Sequence, residues 1–420
     1  MTNRWIALCI IFLSFLQFTI NWFNIVPCFG DIIHEMHITL PEIGAIVGMF
    51  LLGYGLTHIP GGWLNEQIGI HRSMLFGIAI ETLGTVLTGW APNLNILLFA
   101  RLLCGVGGAI YIGSAIGITT AWFRQHELVT ATGLITGVAF TIGAAIGIFP
   151  WHYVINAYGW RHSQYIGAAI GLLTFFLILL AFPVAPAIAE QVEEGHHLSR
   201  DSLKRIFSNR NLWLVGCTNS GMYGAYFTVV ELLPGYAQQH LAFKPEVAAL
   251  LGTFAILSGI PGSFIGGWLA DRVIGAIFTF LSSCVAVCIL SALIPFSSPL
   301  ALQFIAALVG GIGILGTVAW FALPGLYVYD LKLSDIPTAV GLMLSISAIG
   351  GTLIPTFYGH IAIKYGYTSA WECVAAIVLL TACAAFFVQS PKARQRFHRQ
   401  NLNHADDKNL SALDERGNRV

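Results

Sequence analysis

The sequence has too few charged residues for a protein that folds in water. Only 10% of its 420 residues are Asp, Glu, Lys or Arg, whereas 56% are hydrophobic and the mean hydropathy is +0.75. Soluble domains carry about 25% charged residues, which help to cover their surface. The shortage of charge therefore excludes an ordinary soluble fold and predicts an integral membrane protein.

Two further absences narrow the class of protein. The chain has no glycine-rich GxxxxGK[ST] phosphate loop, so it has no visible means of hydrolysing ATP. Its eight cysteines stand singly in apolar segments without CxxC spacing, which indicates packing residues rather than disulfides or metal ligands. We therefore expect no cofactor, no metal and no enzymatic activity, and any uphill work must use an ion gradient.

Twelve apolar runs are long enough to cross a bilayer as helices, which takes roughly 20 residues at about 1.5 Å each. Strands of a membrane β-barrel would instead be alternating segments of about ten residues. The sequence therefore predicts an all-α integral membrane fold. The runs cover residues 5–27, 41–63, 73–91, 95–122, 128–150, 160–184, 211–235, 246–269, 273–294, 299–327, 334–357 and 368–389.

The second six runs repeat the first six. Pro41-Glu42 and the Gly-Gly-Trp-Leu tetrad at 61–64 return as Pro245-Glu246 and the same tetrad at 266–269, at offsets of 204 and 205. An ordered series of matches at a nearly constant offset indicates duplication, which is typical of transporters. We predict two pseudo-symmetric six-helix bundles over residues 1–184 and 211–390, a cytoplasmic linker at 185–210 and a polar cytoplasmic tail at 391–420.

The basic residues predict the orientation of the bundle. Sixteen of the twenty Lys and Arg fall on one side, in the N-terminus, the linker, the tail and alternate loops, and positive loops stay in the cytoplasm. We therefore expect a multi-pass protein of the inner or plasma membrane with both termini in the cytoplasm. The first run is too long for a signal peptide, so we expect it to remain as a span.

The loops after the second and eighth runs resemble the Gly-x-Leu-x-Asp/Glu-x-x-Gly-x-x-Arg motif of the major facilitator superfamily. The second loop departs from the pattern because it lacks a glycine at position 274. The resemblance covers essentially the whole chain, and it implies a twelve-helix transporter in which these loops act in gating. The gating residues that it indicates are Gly62, Glu66, Gly69, Arg72, Asp271 and Arg272.

Two charged residues are predicted inside spans. Arg101 begins an Arg-x-x-x-Gly-x-Gly pattern on the fourth run, which also resembles that family, and its counterpart in the second half is Ala306. A charge within a span is costly and is normally kept for function or paired with a partner. Arg101 is therefore predicted to act in substrate or proton coupling, or in a structural ion pair. Glu81 on the third run is either the partner of Arg101 or a protonation site.

Polar side chains form stripes at helical spacing on several runs. Each stripe could line a polar path, or could form hydrogen bonds between helices, as polar residues in membranes commonly do. His58 could equally be a packing residue. The candidate residues are Gln17, Asn21 and Asn24 on the first run, Tyr54 and His58 on the second, Asn219, Tyr223, Tyr226 and Glu231 on the seventh, and Trp320 on the tenth.

These features predict a secondary active transporter that moves a small polar organic solute by alternating access, by proton symport. An organic anion or a zwitterion such as an amino acid suits a site with one cation. The fifth run lacks the Gly-Pro pair of the family's antiporters, which favours uptake, although a drug or metabolite efflux pump and a non-transporting sensor remain alternatives. We expect a monomer whose partners are the small-molecule substrate, a proton or other coupling ion and the lipid bilayer, with no nucleic acid.

Overall fold

A computed structural model of the protein describes residues 2–123, 131, 133–183, 200–323, 331 and 336–388. These residues form helices joined by short turns, with no strand among them. Eleven helices of the described part are long and apolar enough to cross a membrane. The seventh spanning helix is as long as the others, but Asn211, Thr218 and Asn219 interrupt its apolar run.

We number the twelve spanning helices α1 to α12. In the N-terminal half, α1 is Thr2–Phe23 continued by Val26–Cys28 and Phe29–Met36, α2 is Leu40–Ile68, α3 is Ile70–Trp90, α4 is Leu94–Trp122, α5 is Leu134–Ala139 continued by Phe140–Tyr158, and α6 is Trp160–Ala181. In the C-terminal half, α7 is Arg210–Phe227 continued by Thr228–Leu232 and Leu233–Gln239, α8 is Pro245–Leu257 continued by Gly259–Trp268 and Leu269–Val273, α9 is Ala276–Leu293, α10 is Pro299–Ala322, α11 is Ile336–Tyr365, and α12 is Tyr367–Ala382 continued by Cys383–Phe387.

Large apolar side chains are exposed over the outer surface of the bundle, whereas three charged side chains of the described residues, Glu81, Arg101 and Glu231, are buried inside it. Leu173, Leu180, Phe264 and Phe278 are among many large apolar side chains that are exposed. A contiguous apolar surface of this extent is unstable in water and suits contact with lipid tails. The helical architecture and the polarity of the surface both agree with the predicted membrane fold.

The duplication is visible in the backbone. His37 and Ala242, the two non-glycine residues with positive φ in the described part of the chain, are 205 positions apart. The N-cap glycines that directly precede α3 and α9, Gly69 and Gly275, have φ of 82° and 83° and are 206 positions apart. The extra residue in the second copy lies in the π-helical turn Leu269–Val273, because a π turn accommodates one more residue than an α turn. This turn explains why the expected glycine stands at 275 and not at 274.

Helix packing repeats as well. Gly105 of α4 lies against the backbone carbonyl of Phe50 on α2, and Gly310 of α10 lies against that of Ala255 on α8. Both residues of the second pair follow those of the first by 205 positions, and in each case a Cβ atom would overlap the carbonyl. Glycine at these positions lets the two backbones approach closely, which is the usual way in which membrane helices associate.

The two ends of the bundle are distinguished by their loops. We call the end with the turns after α2, α6 and α8 the linker side, and the opposite end, with the turns after α1, α3 and α5, the far side. Part of the predicted linker forms a short helix, Arg200–Phe207, on the linker side. The limits of the linker and tail stay predictions, because residues 184–199 and 389–420 lie outside the described part of the chain.

The two halves contact each other mainly toward the far side. Helix α2 packs along α11, where Gly44 lies against the carbonyl of Pro355 and Gly359 lies against Pro41. On the opposite flank, His152 of α5 lies 3.6 Å from the carboxylate of Glu246 on α8. Between these two contacts, α1 meets α7. The residues at this central contact form the candidate site.

Candidate functional site

Helix α1 is interrupted beside the boundary between the halves. Its regular part ends at Phe23, and a single 3₁₀ turn, Val26–Cys28, precedes the short helix that completes the span. Carbonyl groups in the last turn of a helix have no helical donor. Two of them, those of Asn21 and Trp22, accept hydrogen bonds from the terminal guanidinium nitrogens of Arg101, at 3.4 and 2.9 Å. The interruption of α1 therefore holds Arg101 in place.

Arg101 keeps unused donors in this position. Its side chain is 1% exposed, and its guanidinium lies 4.8 Å from the ring centre of Phe50. A guanidinium has five N–H donors, and the two hydrogen bonds use only two of them. The Nε atom has no partner, and no carboxylate of the described residues lies within 4.0 Å of the guanidinium. Arg101 can therefore still bind an anion.

Four aromatic side chains lie beside Arg101 where the two halves meet, and we call them the aromatic layer. The Trp22 ring contacts Phe50 and Tyr54 on α2, with ring centres 4.4 and 5.2 Å apart. It also stacks on Phe227 of α7, with centres 5.4 Å apart and planes inclined by 10°. Trp22 and Phe227 belong to different halves. Any separation of α1 from α7 must therefore break this stack.

Glu231 lies four residues beyond Phe227, in the π-helical turn Thr228–Leu232 of α7. Its side chain is 1% exposed, and neither carboxylate oxygen has a hydrogen-bond partner. Arg101 and Trp22 of the other half are close enough to influence its charge, and the Trp22 indole is placed to donate to it, although the contact does not reach full hydrogen-bond geometry. A buried carboxylate without partners is costly when ionised, so this position requires an explanation.

Glu81 has a different environment, inside the N-terminal half. It is 2% exposed, and one carboxylate oxygen accepts a hydrogen bond of 2.9 Å from the Gln17 side chain while the other has no partner. No ion pair within 4.0 Å joins Glu81 to Arg101. Each of these two buried charges therefore has a neutral polar partner, not an opposite charge.

The polar stripe on α1 faces its neighbours in the same half. The Asn21 amide donates to the carbonyl of Gly167 on α6 at 3.1 Å, and the Asn24 amide donates to the Asn21 side chain at 3.3 Å. Gln164, which sequence analysis did not single out, donates to the Asn24 carbonyl at 3.4 Å. The Gln17 and Asn21 side chains thus bond to other helices, whereas Asn24 does so only through its backbone carbonyl and its side chain bonds to Asn21 on the same helix.

Two predicted residues of the C-terminal half form similar bonds. The Asn219 side chain donates to the hydroxyl of Ser347 on α11 at 3.0 Å, and its own oxygen has no partner. The Trp320 indole donates to the Val215 carbonyl of α7 at 3.2 Å. Both side chains are fully buried. They join α7 to its neighbours α11 and α10.

The two tyrosines of α7 flank the aromatic layer. Tyr223 contacts the Phe227 ring at 4.8 Å and is only partly buried. Tyr226 is buried with its ring against Gly313 of α10. Tyr223 therefore lies on the face of α7 that meets the N-terminal half, and Tyr226 lies on a face that packs within its own half.

On α2, Tyr54 and His58 contact each other with ring centres 4.5 Å apart. His58 is partly buried, and its Nε2 atom has no hydrogen-bond partner. Gly341 of α11 lies beside the His58 backbone. The contact between α2 and α11 thus runs from Pro41 at the far side to His58, 17 positions or about 25 Å along the helix.

The predicted gating loops lie on the linker side. Gly62 and Glu66 are on the last turns of α2, Gly69 is the N-cap that directly precedes α3, and Asp271 is in the π-helical turn of α8. Arg72 and Arg272 are exposed. The side chains of Glu66 and Asp271 lie outside the described part of the structure, so the predicted gating contacts stay a prediction.

Of the four residues of the aromatic layer, only Tyr54 is among the candidates predicted from the sequence. Trp22 directly follows Asn21, and Phe50 is one helical turn before Tyr54, so both were adjacent to candidate residues. With 12% aromatic residues in the chain, most of which can face lipid, their spacing alone gives no sign of a central position. Only the contact between α1 and α7 identifies Trp22 and Phe227 as neighbours.

The family model described as Major Facilitator Superfamily matches residues 8–333. The chain belongs to this superfamily. It is 25% identical over 377 residues to the "Probable sulfoacetate transporter SauU" of Cupriavidus necator, covering 84% of this chain and 86% of the relative. It is 23% identical over 422 residues to the "D-galactonate transporter" of Escherichia coli, covering 90% and 94%.

A solved structure agrees with the fold. The crystal structure of a bacterial homologue of the human lysosomal transporter Spinster, in an inward-facing and unoccupied conformation, superposes with a TM-score of 0.76. The match covers 92% of this chain and 97% of the other at 16% sequence identity. The chain is therefore a multi-pass membrane transporter with the twelve-helix fold, and its partners include the bilayer and a small-molecule substrate.

Proposed function

We propose that this transporter imports a small organic anion together with a proton. The observation that carries the proposal is the buried guanidinium of Arg101, which has free donors beside the contact between the two halves. The two relatives named above are called transporters of sulfoacetate and D-galactonate, which are both small organic anions. Their names support a substrate of the same chemical class here.

The single cationic side chain deep in the described spanning helices supports an anionic substrate. Among described residues more than five positions from the helix ends, Arg101 is the only Lys or Arg. Its counterpart 205 positions later is Ala306, which is also fully buried. The scaffold therefore packs well without a cation at this position, and retention of Arg101 inside the membrane points to function. A carboxylate or sulfonate could accept two parallel N–H bonds from its free edge.

Two buried carboxylates support proton coupling. By the same count, Glu81 and Glu231 are the only Asp or Glu more than five positions from the helix ends. One cation cannot balance two carboxylates and a bound anion, so anion binding favours protonation of these groups. The substrate would then be carried inward together with a proton. The absence of a Gly-Pro pair on α5 agrees with uptake.

The remaining candidates take supporting roles in this proposal. Tyr54, His58 and Tyr223 lie where the halves meet, and would contact the substrate once the halves separate. The Gln17 stripe, Asn219, Tyr226 and Trp320 hold the surrounding helices together. The loops with Glu66 and Asp271 would close the linker side in the opposite conformation. We propose that the protein acts as a monomer with the linker side in the cytoplasm.

A substrate panel tests this function in proteoliposomes with an acidic exterior. We expect accumulation of radiolabelled D-galactonate or sulfoacetate, and no accumulation of the neutral sugar D-galactose. Arg101→Ala should reduce uptake by about 100-fold, because a charge-assisted pair contributes up to about 3 kcal/mol. Arg210→Ala, which removes an exposed arginine at the start of α7, is the matched control and should transport normally.

Two outcomes would refute the proposal. Uptake of galactose at the rate of either anion would mean that charge does not select the substrate. Anion uptake that is unchanged in a folded Arg101→Ala protein would remove the guanidinium from the binding site. Outward movement of these anions driven by a proton gradient would instead favour the efflux alternative.

A further inference from the structure

The three charged residues deep inside the described parts of the spanning helices differ in how freely they can change partner. Arg101 and Glu81 are both in the N-terminal half, and Glu81 accepts a hydrogen bond from Gln17 of the same half. Glu231 is on α7 in the other half. When the halves rock against each other, the surroundings of Glu81 move with it. The surroundings of Glu231 change.

Glu231 faces groups from both halves. The charged and titratable groups near it are Arg101 across the boundary, and Tyr223 and Tyr226 on its own helix. The Trp22 indole of the aromatic layer is also beside it. Arg101 alone among these carries a positive charge at neutral pH. Glu231 in its ionised form and a substrate anion would therefore compete for the same guanidinium.

The local helix geometry adds an independent indication. Glu231 is within a π-helical turn, and such turns inside α-helices occur frequently at functional sites. Neither of its oxygens has a partner that meets full hydrogen-bond geometry, although the side chain is 1% exposed and the Trp22 indole lies beside it. A purely structural carboxylate at this depth would be expected to have partners. An unpartnered one is suited to gain and lose a proton.

We propose that Glu231 is the proton carrier, and that it exchanges with the substrate anion as the partner of Arg101. This inference rests on the proposed function. Without substrate, ionised Glu231 balances Arg101, and Glu81 stays neutral. With substrate, the carboxylate or sulfonate of the anion balances Arg101, and Glu231 has taken up one proton to form the neutral acid. The net charge is zero in both states, so one proton accompanies each monovalent anion.

A measurement without substrate tests directly whether Glu231 gains and loses a proton. Infrared difference spectra between low and high pH, recorded on the purified protein in lipid, detect the C=O band of a carboxylic acid that loses its proton. We expect this band to include a component that disappears in Glu231→Gln and is kept in Glu231→Asp. Glu372→Gln, which changes an exposed glutamate of α12, is the matched control and should keep the component that Glu231→Gln removes. A spectrum unaffected by Glu231→Gln in a folded protein, or a band lost only in Glu81→Gln, would overturn the proposal.

Transport of D-galactonate tests the stoichiometry. Electroneutral transport with one proton predicts about tenfold accumulation for each unit of pH difference, because one unit corresponds to about 1.4 kcal/mol. An imposed membrane potential should leave this ratio unchanged. Glu231→Gln should lose accumulation but still exchange internal for external D-galactonate. Accumulation that follows the membrane potential, or that persists in Glu231→Gln, would refute one-for-one exchange at Glu231.

The two arms separate this inference from the function on which it rests. If Glu231 titrates in the infrared spectra but neither D-galactonate nor sulfoacetate is carried, the proposed function fails and the proton site stands. If Arg101-dependent uptake of either anion occurs while Glu231→Gln leaves both the spectrum and the accumulation ratio unaltered, the function stands and the carrier is elsewhere.

Discussion

The two halves share one backbone plan and differ in what they bury. Gly105 and Gly310 make the same close approach, to α2 and to α8, yet four residues earlier one helix has Arg101 and the other has Ala306. Phe50, which lies under the guanidinium, has its counterpart in Ala255. The fold therefore requires the glycine at this crossing but neither the cation nor its aromatic neighbour. The difference separates residues that maintain the scaffold from residues that serve transport.

Placing an arginine at the equivalent position of the other half should have the largest effect on stability. Ala306→Arg would bury a guanidinium without the α1 carbonyls and the ring that hold Arg101, and an uncompensated buried charge costs about 3–5 kcal/mol. Unfolding by a denaturing detergent in mixed micelles would measure the loss. Leu300→Arg, at the exposed start of the same helix, should cost far less because its charge can reach the interface. Equal stability of the two variants would contradict the asymmetry described above.

Adding a methyl group at the contact between the halves should have the second-largest effect on stability. Gly44 of α2 lies against the Pro355 carbonyl, whereas its counterpart on α8 at the structural offset of 205, Ala249, already carries a methyl group and is buried. Gly44→Ala should therefore force α2 from α11, at a cost of about 1–3 kcal/mol, and slow D-galactonate uptake. Gly235→Ala, where the added methyl group meets open space, is the control. Normal stability and uptake in Gly44→Ala would mean that this packing is loose.

Removing a buried side chain should cost more stability when its hydrogen-bond partner is then left without another bond. One such side chain is compared in each half. Gln17→Ala leaves Glu81 with no side-chain partner for either carboxylate oxygen and should cost about 1–3 kcal/mol. Asn219→Ala should cost only about 0.5–1.5 kcal/mol, because the Ser347 hydroxyl also donates to the Met343 carbonyl. The same detergent unfolding assay compares them, and a larger loss for Asn219→Ala would reverse the argument.

The smallest change in stability is expected when one of two duplicated glutamates, Glu42 or Glu246, is replaced. Glu42 accepts hydrogen bonds from the backbone and hydroxyl of Thr39 at the start of α2, so Glu42→Ala should cost about 1 kcal/mol. Its counterpart Glu246 instead faces His152 across the halves, with half of the carboxylate exposed. Glu246→Ala should therefore change stability by less than about 1 kcal/mol, and less still at high salt. A salt-independent loss larger than that of Glu42→Ala would disprove this ranking.

Much of the fold could be predicted from the sequence. The length of the apolar runs determines the spanning helices, and the repeated Gly-Gly-Trp-Leu tetrad indicates the duplication, because both depend on residues that lie close together in the chain. The interruption of α1 after Phe23 was not predicted. The predicted run continues to residue 27, and although Pro27 is a local signal for a break in the helix, nothing local indicates that the carbonyls of Asn21 and Trp22 bind Arg101, which is about 80 positions away in sequence.

The candidate site could be predicted only in part. Helical periodicity correctly places Gln17, Asn21 and Asn24 on related faces of α1, but it does not determine which helices those faces meet. That choice depends on tertiary packing, which turns the stripe toward α3 and α6. The prominence of Glu231 could not be predicted either, because its missing partners are a property of the assembled boundary between α1 and α7.

External pH gives the most direct test of proton-coupled anion import. Protein-containing liposomes in a weakly buffered medium receive D-galactonate or sulfoacetate, and a glass electrode records the outside pH. The account predicts alkalinisation of the medium on addition of at least one of the two anions, none with D-galactose, and none when Arg101 is replaced by alanine. Uptake of the anions without any change of pH, or the same alkalinisation in Arg101→Ala, would contradict it.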